Sequence, residues 1–146
     1  MPLYFAYGAN MDAVAMAARC PRSRLLGRAR LARWRFVVMP SGFASVAPDP
    51  RGMTHGALWE LAAADVPALD RFEDVRGGLY LKRTLPVLRE PVGYASAMVY
   101  IGDPTRRGAA WPDYLAGIVA AARGLQLPPA YIHYLDQLDA SQKARP

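Results

Sequence analysis

The sequence predicts an α+β fold with a mainly antiparallel sheet or barrel, and three observations support this prediction. Segments with the pattern of strands outnumber helical segments and come before residue 102. The last two helical segments follow each other at the C-terminal end. The chain has 146 residues, 53% of them hydrophobic, which suffices for one core but not for two ordinary domains. We therefore expect a single domain over residues 1–146.

Six segments are predicted to be extended, each bounded by glycine, proline or another turn residue. The first is a buried strand that ends at Gly8, and the second is long and bent. The last two are joined by a hairpin connection at 90–93, which reads Glu-Pro-Val-Gly. The predicted strands are 3–7, 25–39, 43–47, 56–61, 79–88 and 95–101.

Four helices are predicted from start and stop signals. Asn10 is expected to cap the first and Asp65 the second, because short polar side chains bind the free N–H groups at a helix start. Proline opens the third and fourth helices, and Gly124 ends the third. The predicted helices are 11–19, 65–74, 112–124 and 128–138.

The net charge of +6 raises the question of a nucleic-acid partner. Lys82 and Lys143 are the only lysines, so nearly all of the 18 basic residues are arginines, and they are scattered over most of the chain. In the densest cluster, residues 28 and 30 share one strand parity and residues 33 and 35 the other. Without a bulge they do not form one basic face, so we expect no nucleic-acid partner, although charge alone keeps that alternative open.

Location is predicted from what the sequence lacks. No apolar run approaches the ~20 residues that a membrane-spanning helix needs. The N-terminus has neither a basic region nor a small-residue cleavage site. A single cysteine, Cys20, has no internal partner, which fits a reducing compartment. We therefore expect a cytoplasmic protein without a membrane partner.

Most of the familiar catalytic motifs are missing. The sequence has no Gly-x-Ser-x-Gly elbow, no phosphate loop and no Gly-x-Gly-x-x-Gly turn. His55 and His133 are far apart without matching cysteines, and we expect surface or half-buried side chains rather than zinc ligands. Cys20 is expected to be a small buried residue. The prediction is no metal and no cofactor, so carboxylates and backbone groups must carry any chemistry.

The connection between the first strand and the first helix is one candidate site. A turn of this kind exposes backbone N–H groups that bind an anion or a polarised carbonyl oxygen. Gly8 permits a close approach or a positive φ. The alternative is a tight turn with Asn10 as a helix cap and no further role.

The second candidate is Glu73, near the end of the second predicted helix. At ~100° per residue, Val66, Leu69 and Phe72 form an apolar arc, and Glu73 falls inside it. A carboxylate on a buried face has a raised pKa because burial disfavours its charged form. The alternatives are that Glu73 reaches solvent at a frayed helix end or pairs with an arginine.

Three parts of the chain resemble the γ-glutamylcyclotransferase family, in the same order. Residues 4–10 read Tyr-Phe-Ala-Tyr-Gly-Ala-Asn, which is similar to the Tyr-Gly-Ser-Asn signature of that family. Residues 56–59, 69–75 and 78–80 resemble its central segment, whose glutamate is catalytic. The C-terminal helices resemble the family at 112–114, 121–125, 127–128 and Tyr131. The clear departure is Ala9, where the family usually has serine, and this bears on substrate preference more than on activity.

The resemblance implies a fold, a reaction and a set of site residues. Family members fold as a small, closed β-barrel-like sheet with flanking helices, and they release 5-oxoproline from γ-glutamyl compounds without a metal or cofactor. It implies that Glu73 is the catalytic acid/base and that Tyr114 lines the substrate pocket. It also implies that a small-molecule γ-glutamyl substrate is held by backbone groups of Tyr7, Gly8, Ala9, Asn10 and Met11.

Two other functions remain open at this point. One is a relative that acts on a specialised γ-glutamylated metabolite. The other is a non-catalytic γ-glutamyl-binding module, which Ala9 favours and Glu73 disfavours. The sequence does not identify the leaving amine, and it does not define the oligomeric state, so a homodimer stays open.

Overall fold

The computed structural model describes residues 1–103 and 105–143. The predicted domain, 1–146, thus includes residue 104 and residues 144–146, which lie outside the described residues. The strands are β1 (Leu3–Ala6), β2 (Arg24–Val38), β3 (Ala44–Glu60), β4 (Leu81–Arg89) and β5 (Tyr94–Ile101). The helices are α1 (Ala13–Arg19), α2 (Val66–Phe72), α3 (Tyr114–Gly124) and α4 (Pro129–Lys143).

The strands form a closed barrel in the order β1-β3-β2-β4-β5. Neighbouring strands are antiparallel except at the closure, where β1 meets β5 in a parallel pair at Tyr4 and Met98. The predicted α+β class, with a small, mainly antiparallel, barrel-like sheet and flanking helices, is confirmed. Closure leaves β1 with partners on both edges, which fixes the turn that follows it.

The core fills the barrel and continues under the helices. In β1, Tyr4, Phe5 and Ala6 are all buried, as expected for a short apolar strand covered on both faces. Helix α3 buries residues at the spacing of one helical face, and they pack on the same core. These residues are Leu115, Ile118, Val119 and Ala122.

The predicted strands 43–47 and 56–61 are parts of one long strand, β3, so the prediction of two separate strands was wrong. Residues 48–55, which include Pro48 and Pro50, had been assigned to neither strand. The β2–β3 register runs from Ala32↔Met53 to Trp34↔Pro48, so residues 49–52 have no partner on β2. Pro50 lies in that stretch and removes no hydrogen bond to β2, whereas Pro48 stands opposite Trp34, and the strand continues past both.

The same irregularity changes the argument about the arginines. Arg33 lies at the register shift in β2 and has a φ of 72°. The bulge that a continuous arginine face would require is therefore present, and strand parity no longer argues against such a face. Acidic partners do neutralise part of it: Arg28 pairs with Glu90 at 2.8 Å, and Arg35 with Asp49 at 3.9 Å.

The expected cap of the first helix was wrong. Helix α1 begins at Ala13, and its cap is Asp12, whose carboxylate accepts from the N–H groups of Val14 at 2.9 Å and Ala15 at 3.4 Å. Asn10 belongs to a preceding 3-10 turn, and its side chain is buried. An inward-facing side chain cannot cap the helix, so the next short polar residue takes that place.

Helix α2 starts at the predicted position, but Asp65 does not cap it through its side chain. The carboxylate accepts instead from the Arg22 N–H at 3.0 Å and from the Ser23 hydroxyl at 2.8 Å. Asp65 therefore joins α2 to the segment between α1 and β2. Helix α4 extends five residues beyond its predicted end, to Lys143. Among the described residues, no helix is both long and apolar enough to cross a membrane.

Candidate active site

A cavity of about 120 Å³ opens beside the end of β1. It brings together the turn after β1, the end of α2 and the start of α3, which are far apart in sequence. Six of the seven predicted site residues line it, and Met11 does not. The lining residues are Tyr4, Tyr7, Gly8, Ala9, Asn10, Phe43, Ala44, Phe72, Glu73, Leu79, Tyr80, Tyr100 and Tyr114.

The turn after β1 is a 3-10 turn over Ala9–Met11. The Met11 N–H donates to the Gly8 carbonyl oxygen at 3.0 Å, so this amide is already used, and the Met11 side chain is buried in the core. Within the described part of the chain, the N–H groups of Gly8, Ala9 and Asn10 have no recorded acceptor. These three amides, rather than that of Met11, can donate to a bound molecule.

Gly8 allows a close approach, and its φ lies outside the left-handed region that favours glycine. Its φ is −121°, which any residue can adopt. A methyl group added there would lie 3.5 Å from the Tyr114 hydroxyl oxygen, inside the cavity wall. Glycine therefore keeps space open between the turn and α3.

The Asn10 side chain holds the turn in place through two hydrogen bonds. Its Nδ2 donates to the Tyr4 hydroxyl oxygen at 3.1 Å, and its Oδ1 accepts from Arg19 at 2.5 Å. The Asn10 carbonyl oxygen accepts from the indole N–H of Trp59 at 3.1 Å. The Asn10 backbone N–H has no recorded acceptor among the described residues, so it stays available to the cavity.

Arg19 connects the turn to the end of α2. The guanidinium that binds Asn10 also lies over the ring of Phe72, 3.6 Å from its centroid. Such a cation–π contact contributes about 0.5–2 kcal/mol, more when it is shielded from water. Glu73 follows Phe72 directly, so Arg19 helps to hold Glu73 opposite the turn.

Glu73 is the residue that follows the last turn of α2. Its backbone N–H donates to the Leu69 carbonyl oxygen at 3.0 Å, which fixes the position of the residue. Among the described residues, its carboxylate has no recorded hydrogen bond or ion pair. Burial raises the pKa of Glu73 to about 7, and the nearby positive charge of Arg19 opposes part of that rise.

The predicted helical phase placed Glu73 correctly toward the interior, but not all of its neighbours. Leu69 is buried as expected, whereas Phe72 is 43% exposed, at the cavity and not in the core. Asp70, which lies outside the apolar arc, accepts from the Tyr100 hydroxyl at 2.6 Å. Helix α2 is only seven residues long. At its end, contacts with neighbouring residues, and not the helical phase, therefore decide which side chains face the interior.

Three of the five tyrosines that line the cavity already donate their hydroxyl protons to other groups of the protein. Tyr7 donates to the Tyr100 carbonyl oxygen at 2.5 Å, and Tyr80 donates to the Ala44 carbonyl oxygen at 2.5 Å. Tyr100 donates to the Asp70 carboxylate. These hydroxyls tie strands and loops together around the cavity, and this is a structural task.

The hydroxyls of Tyr4 and Tyr114 are acceptors in their recorded bonds, so their protons remain available. Tyr114 accepts from the Ala44 N–H at 3.2 Å, and Tyr4 accepts from Asn10. Burial raises the pKa of Tyr114 to about 12, and it raises the pKa of Tyr4 well above its usual value. Both groups therefore stay protonated near neutral pH and can donate to a bound molecule.

Sequence reasoning missed seven residues of the lining. Some belong to segments that had been singled out: Tyr4 lies in the first strand, Phe72 in the apolar arc, and Leu79 and Tyr80 in the 78–80 match. For these four residues, their position within segments already singled out was the sequence signal that could have identified them as part of the site. Phe43, Ala44 and Tyr100 reach the cavity through closure of the barrel, which no local pattern indicates.

The histidines and the cysteine lie where they were predicted. Cys20 is buried, His55 is half-buried and His133 is exposed. Within residues 1–103 and 105–143, no group of three or more His, Cys, Asp or Glu side chains could hold a metal ion.

Comparisons with solved structures identify the fold. A structure named Gamma-glutamyl cyclotransferase matches with a TM-score of 0.86 at 22% identity, covering 92% of this chain and 86% of the other. The uncharacterized protein loc79017 from Homo sapiens matches with a TM-score of 0.83 at 22% identity, covering 92% and 85%. YkqA from Bacillus subtilis gives 0.74 at 20% identity, covering 99% of this chain and 55% of YkqA. At these identities the matches establish the γ-glutamylcyclotransferase fold.

The family follows from the sequence itself. The pattern of the AIG2-like family matches residues 54–135, which is more than half of the chain and includes Glu73. This protein therefore belongs to the AIG2-like, or γ-glutamylcyclotransferase-like, family, as the resemblance had implied. No curated protein matches the chain in sequence.

Proposed function

We propose that this protein is a γ-glutamylcyclotransferase that releases 5-oxoproline and a free amine from a γ-glutamyl compound, with Glu73 as general acid/base. One observation carries the proposal. A half-buried carboxylate without a recorded partner among the described residues lines the same small cavity as three available backbone amides. Leaving a carboxylate buried without a partner costs free energy, and this cost is typical of functional sites.

The substrate supplies its own nucleophile in this reaction. The α-amine attacks the γ-carbonyl carbon, a carbon–nitrogen bond closes the five-membered ring, and the bond to the leaving amine breaks. Holding the substrate folded for this intramolecular attack can remove about 7 kcal/mol or more of the barrier. The reaction as proposed needs no nucleophilic side chain, metal or cofactor.

Glu73 moves the proton that this attack requires. A free α-amine has a pKa of about 8 and is mostly protonated at neutral pH, so it must lose a proton before or during attack. With a pKa of about 7, Glu73 is matched to accept that proton and then to donate it to the leaving amine. Starting from the ammonium form, the α-nitrogen gives up two protons as it becomes the ring amide nitrogen. The leaving nitrogen takes up two as it departs as the protonated amine, so Glu73 regains its starting state after each turnover.

The developing oxyanion and the substrate carboxylate both need hydrogen-bond donors. The amides of Gly8, Ala9 and Asn10 and the hydroxyl protons of Tyr114 and Tyr4 are the donors that the cavity offers. One preorganised donor to an oxyanion contributes about 3 kcal/mol to catalysis. Ala9 contributes only its N–H, so it fits this role without the usual serine hydroxyl.

The comparisons support the proposal through family and fold. The family pattern covers Glu73, and a structure with the same fold bears the name Gamma-glutamyl cyclotransferase. The partner proposed for this chain is accordingly a small-molecule γ-glutamyl substrate. Met11 is assigned no binding role, because its amide donates within the turn and its side chain lies in the core.

A donor screen with direct detection of 5-oxoproline tests the proposal. The protein is incubated with γ-glutamyl-alanine, glutathione, γ-glutamyl-lysine and uncharged γ-glutamyl alkylamides. We expect 5-oxoproline and the free amine in equal amounts from at least one donor. No 5-oxoproline from any of them would contradict the proposal. Binding of these compounds without turnover would instead identify a γ-glutamyl-binding module, the function that Ala9 favours.

A further inference from the structure

The thirteen residues that line the cavity differ in exposure, and the difference shows where the cavity opens. Within the described part of the chain, Phe43 and Phe72 are the only large lining side chains exposed to solvent, at 37% and 43%. The remaining lining residues are half-buried or buried. The buried ones are Tyr4, Tyr7, Asn10, Ala44, Tyr80 and Tyr100. The cavity therefore has a hydroxyl-rich inner end and a mouth formed by two phenylalanines.

The inner end suits the polar half of a γ-glutamyl compound. Its amides and hydroxyls can bind a carboxylate and a carbonyl oxygen, and Glu73 can bind the amine. At about 120 Å³, the cavity is well below the roughly 300–1,000 Å³ of pockets that enclose a whole drug-sized ligand. Only one half of the substrate is enclosed, so the leaving amine must extend through the mouth.

The mouth carries little charge. Of the described residues that line the cavity, Glu73 is the only Asp, Glu, Lys, Arg or His. Arg19 lies at Phe72, but its guanidinium covers the ring of Phe72 and binds the Asn10 Oδ1 at 2.5 Å. A charged leaving group would give up hydration at this mouth without finding a lining side chain of opposite charge, unless it approached Glu73 itself.

The apolar surface continues outward from Phe43. The Phe43 ring meets Tyr114 edge-on, with centroids 5.6 Å apart, and lies 6.3 Å from the ring of Trp111. Trp111 is 57% exposed, and its indole N–H donates to the Ser41 carbonyl oxygen at 2.9 Å. This hydrogen bond holds Trp111 in place, so the mouth is extended by a fixed aromatic wall.

We propose that the leaving amine of the substrate is uncharged outside the reacting amide and carries an aromatic or other bulky apolar group. Phe43 and Phe72 hold that group as specificity-determining residues. The inference rests on the proposed cyclotransferase activity and names its substrate class. A γ-glutamyl arylalkylamide fits the cavity better than a γ-glutamyl amino acid or a γ-glutamyl polyamine.

Three γ-glutamyl amides that differ only beyond the reacting bond test this inference. The phenethylamide presents an aromatic ring, the ethylamide lacks it, and the 4-aminobutylamide carries a positive charge. We expect kcat/KM for the phenethylamide to exceed that for the ethylamide by about tenfold, the scale of a partly buried apolar group. We expect the 4-aminobutylamide to be the poorest donor.

Variants at the mouth assign the preference to particular residues. Phe43→Ala and Phe72→Ala should each bring the phenethylamide-to-ethylamide ratio closer to one. The ratio is the readout because either change can also disturb a neighbour, Tyr114 or Arg19. Tyr94→Ala removes an exposed aromatic ring that does not line the cavity, and it should leave the ratio as in the wild type.

The outcomes separate this inference from the proposed function. Equal turnover of the phenethylamide and the ethylamide by the wild type, or faster turnover of the charged amide, overturns the inference and leaves the cyclotransferase function standing. If neither the three amides nor the donors of the first screen release any 5-oxoproline, both this inference and the proposed function are overturned. If the alanine variants do not fold, the wild-type ratio decides the matter.

Discussion

The two ends of helix α2 each carry a buried or half-buried carboxylate, and the two are treated in opposite ways. Asp65, before the helix, accepts hydrogen bonds from the Arg22 N–H and the Ser23 hydroxyl. Glu73, after the helix, lines a cavity and has no recorded partner among the described residues. A satisfied carboxylate stabilises a fold, whereas an unsatisfied one costs stability and is kept where it performs chemistry. The comparison separates a structural acid from a candidate catalytic acid.

The largest expected effect follows from removing the ability of Glu73 to carry a proton. Glu73→Gln keeps the shape of the side chain but cannot act as a base, so we expect kcat/KM to fall by about 10²–10⁴-fold. The measurement is the rate of 5-oxoproline release by the folded variant at saturating and limiting substrate. Activity at the wild-type level in this variant would remove Glu73 from the mechanism.

At the other end of α2, the same kind of change should affect stability instead. Asp65→Ala leaves the Arg22 N–H and the Ser23 hydroxyl without their acceptor, and we expect a loss of about 2–4 kcal/mol in the free energy of unfolding. Denaturant unfolding measures the loss, and Asp65→Asn, which retains an acceptor oxygen, should lose less. A large fall in kcat of the folded Asp65→Asn variant would show that the two ends of α2 are not independent.

The difference between the two acids also predicts how stability depends on pH. Burial raises the pKa of Glu73 from 4.5 to about 7. Between these values the native state retains a proton that the unfolded state releases, so the stability contributed by this group falls as the pH rises through that window. We expect Glu73→Gln to be more stable than the wild type at pH 8 by about 1–3 kcal/mol.

This stability gap should close as the pH is lowered toward 4, where Glu73 is protonated in both the native and the unfolded states. Thermal or denaturant unfolding at several pH values provides the test. A wild type that is more stable than Glu73→Gln at pH 8 would mean that Glu73 has a stabilising partner after all.

Across the cavity from Glu73, a single methyl group should weaken binding. Gly8→Ala places a methyl group 3.5 Å from the Tyr114 hydroxyl oxygen at a φ that alanine tolerates. We therefore expect about a tenfold loss in kcat/KM, mainly through KM, with little change in stability. Gly117→Ala is the matched control, since an added methyl group at this exposed position in α3 meets nothing within 4 Å. Equal kinetics for both variants would argue that substrate does not reach the turn.

The smallest effect concerns the charge beside Glu73. If Glu73 is the base, wild-type kcat/KM should fall about tenfold per pH unit below pH 7. Arg19→Met removes the positive charge that lowers the pKa of Glu73, so this acidic limb should move to higher pH. Arg19→Lys keeps the charge and should keep the limb closer to that of the wild type. A limb at the same pH in all three proteins would assign it to a group other than Glu73.

Helical phase singled out Glu73 and turn chemistry singled out the turn after β1, whereas Tyr114 came from the family resemblance. Six of the seven predicted site residues share one cavity, and their part in binding or catalysis stays a prediction. Asn10 was misjudged as a helix cap because its partners, Tyr4 and Arg19, are chosen by packing of the turn against its surroundings. The two predicted strands within β3 were wrongly separated for a similar reason, because the continuity of β3 depends on its pairing with β2, which no local pattern contains.

The sequence by itself determined the fold class, the candidate turn and the inward phase of Glu73, because hydrophobic periodicity and glycine or proline signals act over a few residues. The tertiary structure decided which groups remain available at the cavity. It commits the hydroxyl protons of Tyr7, Tyr80 and Tyr100 to structural bonds. It also satisfies Asp65 and leaves Glu73 without a recorded partner among the described residues. Whether a buried polar group is satisfied depends on neighbours brought close by barrel closure, and no local pattern contains that information.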